Sequence, residues 1–95
     1  MKFPFLEDEN VAVITCRHIL ENRADICFVT HDEDGIWQFM CGENFHIESD
    51  ARVISLGEAF DLDNSIEQIA DMPPGHGASR EYKHGTWKGF RLIKT

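Results

Sequence analysis

Ninety-five residues, 42% of them hydrophobic and 11% aromatic, are enough for one domain with a working core and exclude a disordered chain. The formal net charge of −8 is uneven: residues 1–71 carry sixteen acids against Lys2, Arg17, Arg23 and Arg52, while residues 72–95 carry Glu81 against five bases. Such an acidic body repels phosphate and argues against nucleic acid as a partner, and no apolar run reaches the length of a membrane span.

The start, Met1 to Glu9, lacks a long apolar core and turns acidic at once, so it does not read as a secretory signal. A cytoplasmic protein is the expectation, and three cysteines in that compartment fit thiols or metal ligands better than disulfides. Phe3-Pro4-Phe5-Leu6 reads as an extended lead-in, because Pro4 has no N–H and biases Phe3 away from helix. Glu7 to Asn10 is an exposed acidic turn. Asn10 to Cys16, rich in Val and Ile, is the first predicted strand, and Arg17 to Ala24 is a connection with irregular or short helical structure.

Ile26–His31 and Ile36–Cys41 both alternate as strands do. Between them lies Asp32-Glu33-Asp34-Gly35, with an Asp-Gly pair that favours a turn because Gly takes positive φ without a Cβ clash. The pair of strands is predicted to form a hairpin closed by this four-residue acidic loop. Gly42 to Asp50 is a polar loop anchored by Phe45 and Ile47. Ala51 to Leu56 is a further strand. Ser55-Leu56-Gly57-Glu58 has the capping-box spacing and opens a short helix through Phe60. Asn64-Ser65-Ile66-Glu67 repeats a cap-like pattern, after which Ile66, Ile69 and Ala70 share a helical face. Met72-Pro73-Pro74-Gly75 stops that helix. Gly75 to Arg80 reads as a flexible loop without a phosphate-loop motif, and Trp87 to Ile93 as a last strand at a sheet edge. His76 and His84 are expected in solvent.

The expected fold is α+β: a mainly antiparallel sheet of about four or five strands, with one or two short helices near residues 56–71 covering one face. Trp37, Phe39, Phe28, Val13, Ile54 and Ile69 are its predicted core.

Three acids at the hairpin tip invite a calcium reading. Asp32, Asp34 and Gly35 begin the EF-hand pattern, but Cys41 stands where its terminal Glu belongs and the flanks are strands, so the solvated tip is preferred. Cys16-x-His18 ends the first strand, and Cys41, with His46 five residues on, ends the hairpin. These four residues can converge as a closed tetrahedral zinc site, the expected ion if a metal is bound. Against this, Cys is often a small buried hydrophobe, and Trp37/Phe39/Cys41 alternation puts Cys41 on the core face. Cys27 reads as core. A Cys–His nucleophile needs a thiolate beside an imidazolium and an oxyanion site, and no protease signature surrounds any cysteine here, so no enzyme activity is expected.

The order of short motifs carries a resemblance. An acidic Asp-Gly turn leads into Trp37-x-Phe39-x-x-Gly42-Glu43. Ser55 to Glu58, Asp63-x-Ser65-Ile66 and a Gly-rich loop ending in Ala78-Ser79-Arg80-Glu81 follow. Over residues 11–82 this resembles a family of small bacterial α+β domains of unknown function grouped with the immunity proteins of polymorphic toxin systems. The Cys and His pairs depart from the family's common pattern. The resemblance carries over no catalytic residue and implies an intracellular binding protein, without naming the toxin. The expectation is therefore a non-catalytic protein-binding module that inhibits a basic, toxin-like protein. Asp32, Glu33, Asp34, Glu43, Glu48 and Asp50 are its candidate contact residues. The alternative is a zinc-stabilised accessory domain.

Overall fold

The computed structural model describes residues 3–22, 24–42 and 48–92, with Glu48 described by its backbone alone. In chain order come β1 (Ala12–Cys16), α1 (Arg17–Leu20), β2 (Phe28–His31), β3 (Trp37–Met40), a 3-10 turn (Glu48–Asp50) and β4 (Ala51–Ser55). Then follow α2 (Leu56–Leu62), a 3-10 helix (Asn64–Ile69), β5 (His76–Ser79) and β6 (Lys88–Arg91). The fold is α+β. The strands form one six-stranded sheet in the order β4-β1-β3-β2-β5-β6, rather than four or five strands. All neighbours are antiparallel except β1 and β3, which pair in parallel with Thr15 opposite Phe39. Among the described residues no helix is long and apolar enough to cross a membrane.

The added strand is the segment expected as a flexible loop. His76–Ser79 pairs with β2 on one side and β6 on the other, with Gly77 opposite both Thr30 and Phe90. Its glycine is a packing requirement: a Cβ built on Gly77 would lie 2.5 Å from the Phe90 ring and 3.0 Å from the Val29 carbonyl. Phe90 in turn lies 5.5 Å from the Phe28 ring, on the sheet face away from the helices. That placement corrects a second expectation. In β2 it is Val29 and His31 that point into the core, and Phe28 stays 37% exposed. Ile54 is likewise only half-buried, while Trp37, Phe39, Val13 and Ile69 are buried as expected.

One sheet face, with Val13, Thr15, Val29, His31, Trp37, Phe39 and Ala78, is packed under Leu56, Ala59, Phe60, Ile66, Ile69 and Ala70. Each large side chain removed from water there contributes about 1.5–3 kcal/mol. The lead-in completes this core from the edge. Phe5 stands at 90° and 5.2 Å to the Trp37 ring, and Leu6 turns outward, 97% exposed.

α2 begins at a complete capping box: Glu58 N donates to Ser55 Oγ (3.1 Å) and Ser55 N donates to Glu58 Oε1 (3.2 Å). The helix ends at Asp63, whose own carboxylate caps the next element by accepting from Ser65 N at 3.0 Å. The second cap thus lies one residue before the Asn64 the pattern pointed to, and the element it opens is a 3-10 helix. Ser55→Ala removes one half of the box and is expected to lower stability by about 1 kcal/mol. A urea midpoint unchanged by the substitution would show that the cap is redundant with the packing of α2.

Candidate functional site

A thiol–imidazole cluster sits where β1 and β3 end side by side. Cys16 is the last residue of β1 and the N-cap residue of α1, extended at φ −114° and ψ 156°. His18 follows on the first turn of α1. Cys41 is the residue after β3, released from the strand's alternation, so its sulfur need not share the face of Trp37 and Phe39. Cys16 Sγ, a ring nitrogen of His18 and Cys41 Sγ all lie within 4.8 Å of one another. Cys41 Sγ is 3.9 Å from His18 Nδ1. Cys16 is fully buried, and His18 and Cys41 are half-buried.

These separations suit a shared ion. Zn–S bonds of about 2.3 Å and Zn–N bonds of about 2.0–2.1 Å in a tetrahedron set neighbouring ligand atoms about 3.5–3.8 Å apart, reached here by shifts of about 1 Å or less. Three of the four sequence-predicted ligands are therefore brought together in a group that can hold a metal ion. His46, the fourth, lies outside the described residues. Cys27, expected in the core, precedes β2 and is half-buried, its N–H donated to the Met40 carbonyl at 3.0 Å. Burial pushes its thiol pKa up, with Arg80 acting in the opposite sense.

An ion pair braces the cluster from α1. Arg17 Nε donates to Asp50 Oδ1 at 2.7 Å, and Arg17 Nη1 lies 3.4 Å from Glu21 Oε1. The Asp50 hydrogen bond, then its charge, holds the Arg17 pKa above its ordinary value. Asp50, one of the candidate contact residues, has its carboxylate buried against Arg17, the partner a buried charge needs.

The hairpin tip keeps Glu33 and Asp34 outside. Asp32 Oδ1 accepts from the backbone N–H of Asp34 and of Ile36, both at 2.9 Å, and Gly35 takes φ +87°. The connection runs over residues 32–36, with Asp32 N donating to the Ile36 carbonyl at 3.0 Å. Glu33 and Asp34 are exposed and Asp32 is half-buried, its side chain committed to the turn. Glu43 lies outside the described residues, as does the Glu48 side chain.

Two polar arrangements escaped sequence reasoning. Asp63 and Arg80 form a buried ion pair at 2.8 Å. His31 is stacked on Trp37 at 3.9 Å with Nδ1 2.8 Å from the Met72 carbonyl. Its Nε2 stands 3.4 Å from Glu7 Oε2, near enough for an ion pair in the protonated ring yet outside hydrogen-bond geometry. The Asp63–Arg80 pair and the His31–Met72 contact have no local signature, since their partners are 17 and 41 residues apart. Compared with known proteins, the chain matches no family model, no curated protein and no solved structure.

Proposed function

We propose that this protein is a non-catalytic protein-binding module of the immunity type, using its acidic surface to engage a basic, toxin-like partner. The observation that carries the reading is the hairpin tip, where the turn holds Glu33 and Asp34 outward on a backbone fixed by Asp32. Preset exposed charge steers association with an oppositely charged surface and costs little ordering on contact. Glu33→Lys/Asp34→Lys reverses the tip while sparing the Asp32 turn bonds. Association with a basic partner captured from the source cell is expected to slow about tenfold and to lose most of its salt dependence. A rate insensitive to both salt and these substitutions would remove the electrostatic reading.

A second reading, a zinc-stabilised accessory domain, is favoured by the convergence of Cys16, His18 and Cys41. Thiolate and imidazole suit zinc, and an ion bound only by the folded chain stabilises it by mass action. Elemental analysis of protein purified without chelator is expected to give about one zinc per chain. At zinc a hundredfold above its dissociation constant the stabilisation is about 2.7 kcal/mol, so chelation should lower the melting temperature by about 10 °C or more. Substoichiometric zinc with a chelator-insensitive melt would sink this reading and leave the first untouched.

A further inference from the structure

The two sulfurs of the cluster differ in a way that a purely structural zinc site does not require. β1 and β3 are parallel neighbours with Thr15 opposite Phe39, so extending the register sets Cys16 opposite Met40 and one residue short of Cys41. Strands about 4.8 Å apart with a rise of about 3.3 Å per residue, continued one residue past β3, would set the two Cα atoms about 6 Å apart. That is inside the range of about 4.4–6.8 Å that a disulfide spans. The sulfurs themselves already lie within 4.8 Å. Cys16 is 0% exposed, whereas Cys41 is half-buried and keeps part of its surface in solvent.

We propose that Cys16 and Cys41 form a peroxide-sensitive pair in which Cys41 is oxidised first, Cys16 resolves it, and the resulting disulfide releases the ion held with His18. The release half of this proposal rests on the zinc-stabilised reading. Coordination keeps both sulfurs as thiolates, the nucleophilic form. The Cys41 thiolate attacks one oxygen of hydrogen peroxide. An S–O bond forms, the O–O bond breaks, and hydroxide leaves and is protonated to water, giving Cys41 sulfenic acid. The Cys16 thiolate then attacks Cys41 Sγ. The S–S bond forms, the S–O bond breaks, and a second hydroxide leaves to become water. Two electrons pass from the sulfurs to peroxide, the zinc stays divalent, and with only His18 left to it among these three ligands the ion departs. The product ties the carboxyl ends of β1 and β3 covalently.

Cys27 is the competing resolver. Its N–H donates to the carbonyl of Met40, the residue before Cys41. Its sulfur is outside the cluster, and burial pushes that thiol's pKa up, which disfavours the reactive thiolate. Its substitution is therefore the control that leaves the proposed pair intact.

The test uses the full chain and its Cys27→Ser variant, reduced, loaded with one equivalent of zinc and titrated with hydrogen peroxide. Three quantities are followed together: zinc released to a chromogenic chelator, intact mass, and the cross-link mapped after cleavage with trypsin and chymotrypsin. The expected result in both proteins is a loss of two mass units in step with release of about one zinc, and a Cys16–Cys41 cross-link. Cys16→Ser should halt at Cys41 sulfenic or sulfinic acid without a Cys16–Cys41 cross-link, and dithiothreitol should reduce the cross-link and restore zinc binding in the two cross-linked proteins. Zinc retained under peroxide, zinc released with sulfinate and no cross-link, or a Cys27–Cys41 bridge in the full chain would each overturn the proposal while the zinc reading stands. Elemental analysis before peroxide is added separates the other failure: a chain that holds no zinc at that stage defeats the zinc reading, and the release step with it.

Discussion

Asp63→Ala is expected to destabilise this protein by about 3–5 kcal/mol, a large share of the whole stability of a domain this size. The Asp63 and Arg80 side chains are 5% and 1% exposed and meet at 2.8 Å. Arg80 also donates from Nε and Nη2 to the Ile26 carbonyl, at 3.0 and 2.8 Å, and from Nη1 to Ser65 Oγ at 2.9 Å. Its guanidinium carbon lies 4.1 Å from the Trp87 ring centre. One cation thereby joins the 3-10 helix, the entry to β2 and the approach to β6. Removing Asp63 leaves that cation buried without its counter-charge and also deletes the cap on Ser65 N. Arg80→Met strands the carboxylate instead and is expected to cost a similar amount. Asp63→Ala/Arg80→Met should cost less than either single change, about 1–3 kcal/mol, because no buried charge is left without its counter-charge and the remaining loss is the donors to the Ile26 carbonyl and the Ser65 hydrogen bonds. Urea denaturation of all four proteins measures the coupling. Single effects that simply add would show that the two charges act independently.

This network also marks where sequence reading stops. Ser55 and Glu58 announce a helix start because a capping box needs only four consecutive residues, and the structure contains that box. The Asp32–Gly35 turn is local in the same sense, and the hairpin forms with Val29 opposite Phe39 and His31 opposite Trp37. Asp63 and Arg80 are paired only because the sheet order sets β5 beside β2, so no spacing rule reaches them. The same order explains the misread loop. Gly75-His76-Gly77 has turn composition, and its use as a strand depends on a Phe90 ring that needs the space above Gly77. Alternation alone does not decide between Phe28 and Val29 for the core, because either face of an alternating strand can be the buried one and the partner strands choose which. The cluster was legible halfway. Cys16-x-His18 and Cys41 were visible as metal-type residues at two strand ends, but only the parallel pairing of β1 with β3 puts those ends together.

Trp37→Ala is expected to lower stability by about 3–5 kcal/mol, the range for truncating a fully buried large aromatic. Trp37 is 1% exposed and lies at the centre of a ring stack. His31 covers one part of it at 3.9 Å and 11°, Phe39 lies nearly parallel at 5.7 Å, and Phe5 meets it edge-on at 5.2 Å. Truncation removes contacts to β2, to the neighbouring residue on its own strand face and to the lead-in together, so no single neighbour can collapse into the space. Trp37→Phe should cost at most about half as much. It keeps a ring in the stack and sacrifices no hydrogen bond, since Trp37 Nε1 has no partner among the described residues. Equal losses for Ala and Phe would show that the indole's size, not its stacking, is what the core uses. Cys41 lies four residues along from Trp37, about 13 Å in an extended strand, beyond the distance at which two sites usually couple. Zinc is therefore expected to raise the stability of Trp37→Ala and of the unsubstituted protein by the same increment. An increment that shrinks in Trp37→Ala would mean that truncating the core disturbs the cluster at the ends of β1 and β3 and weakens its hold on zinc.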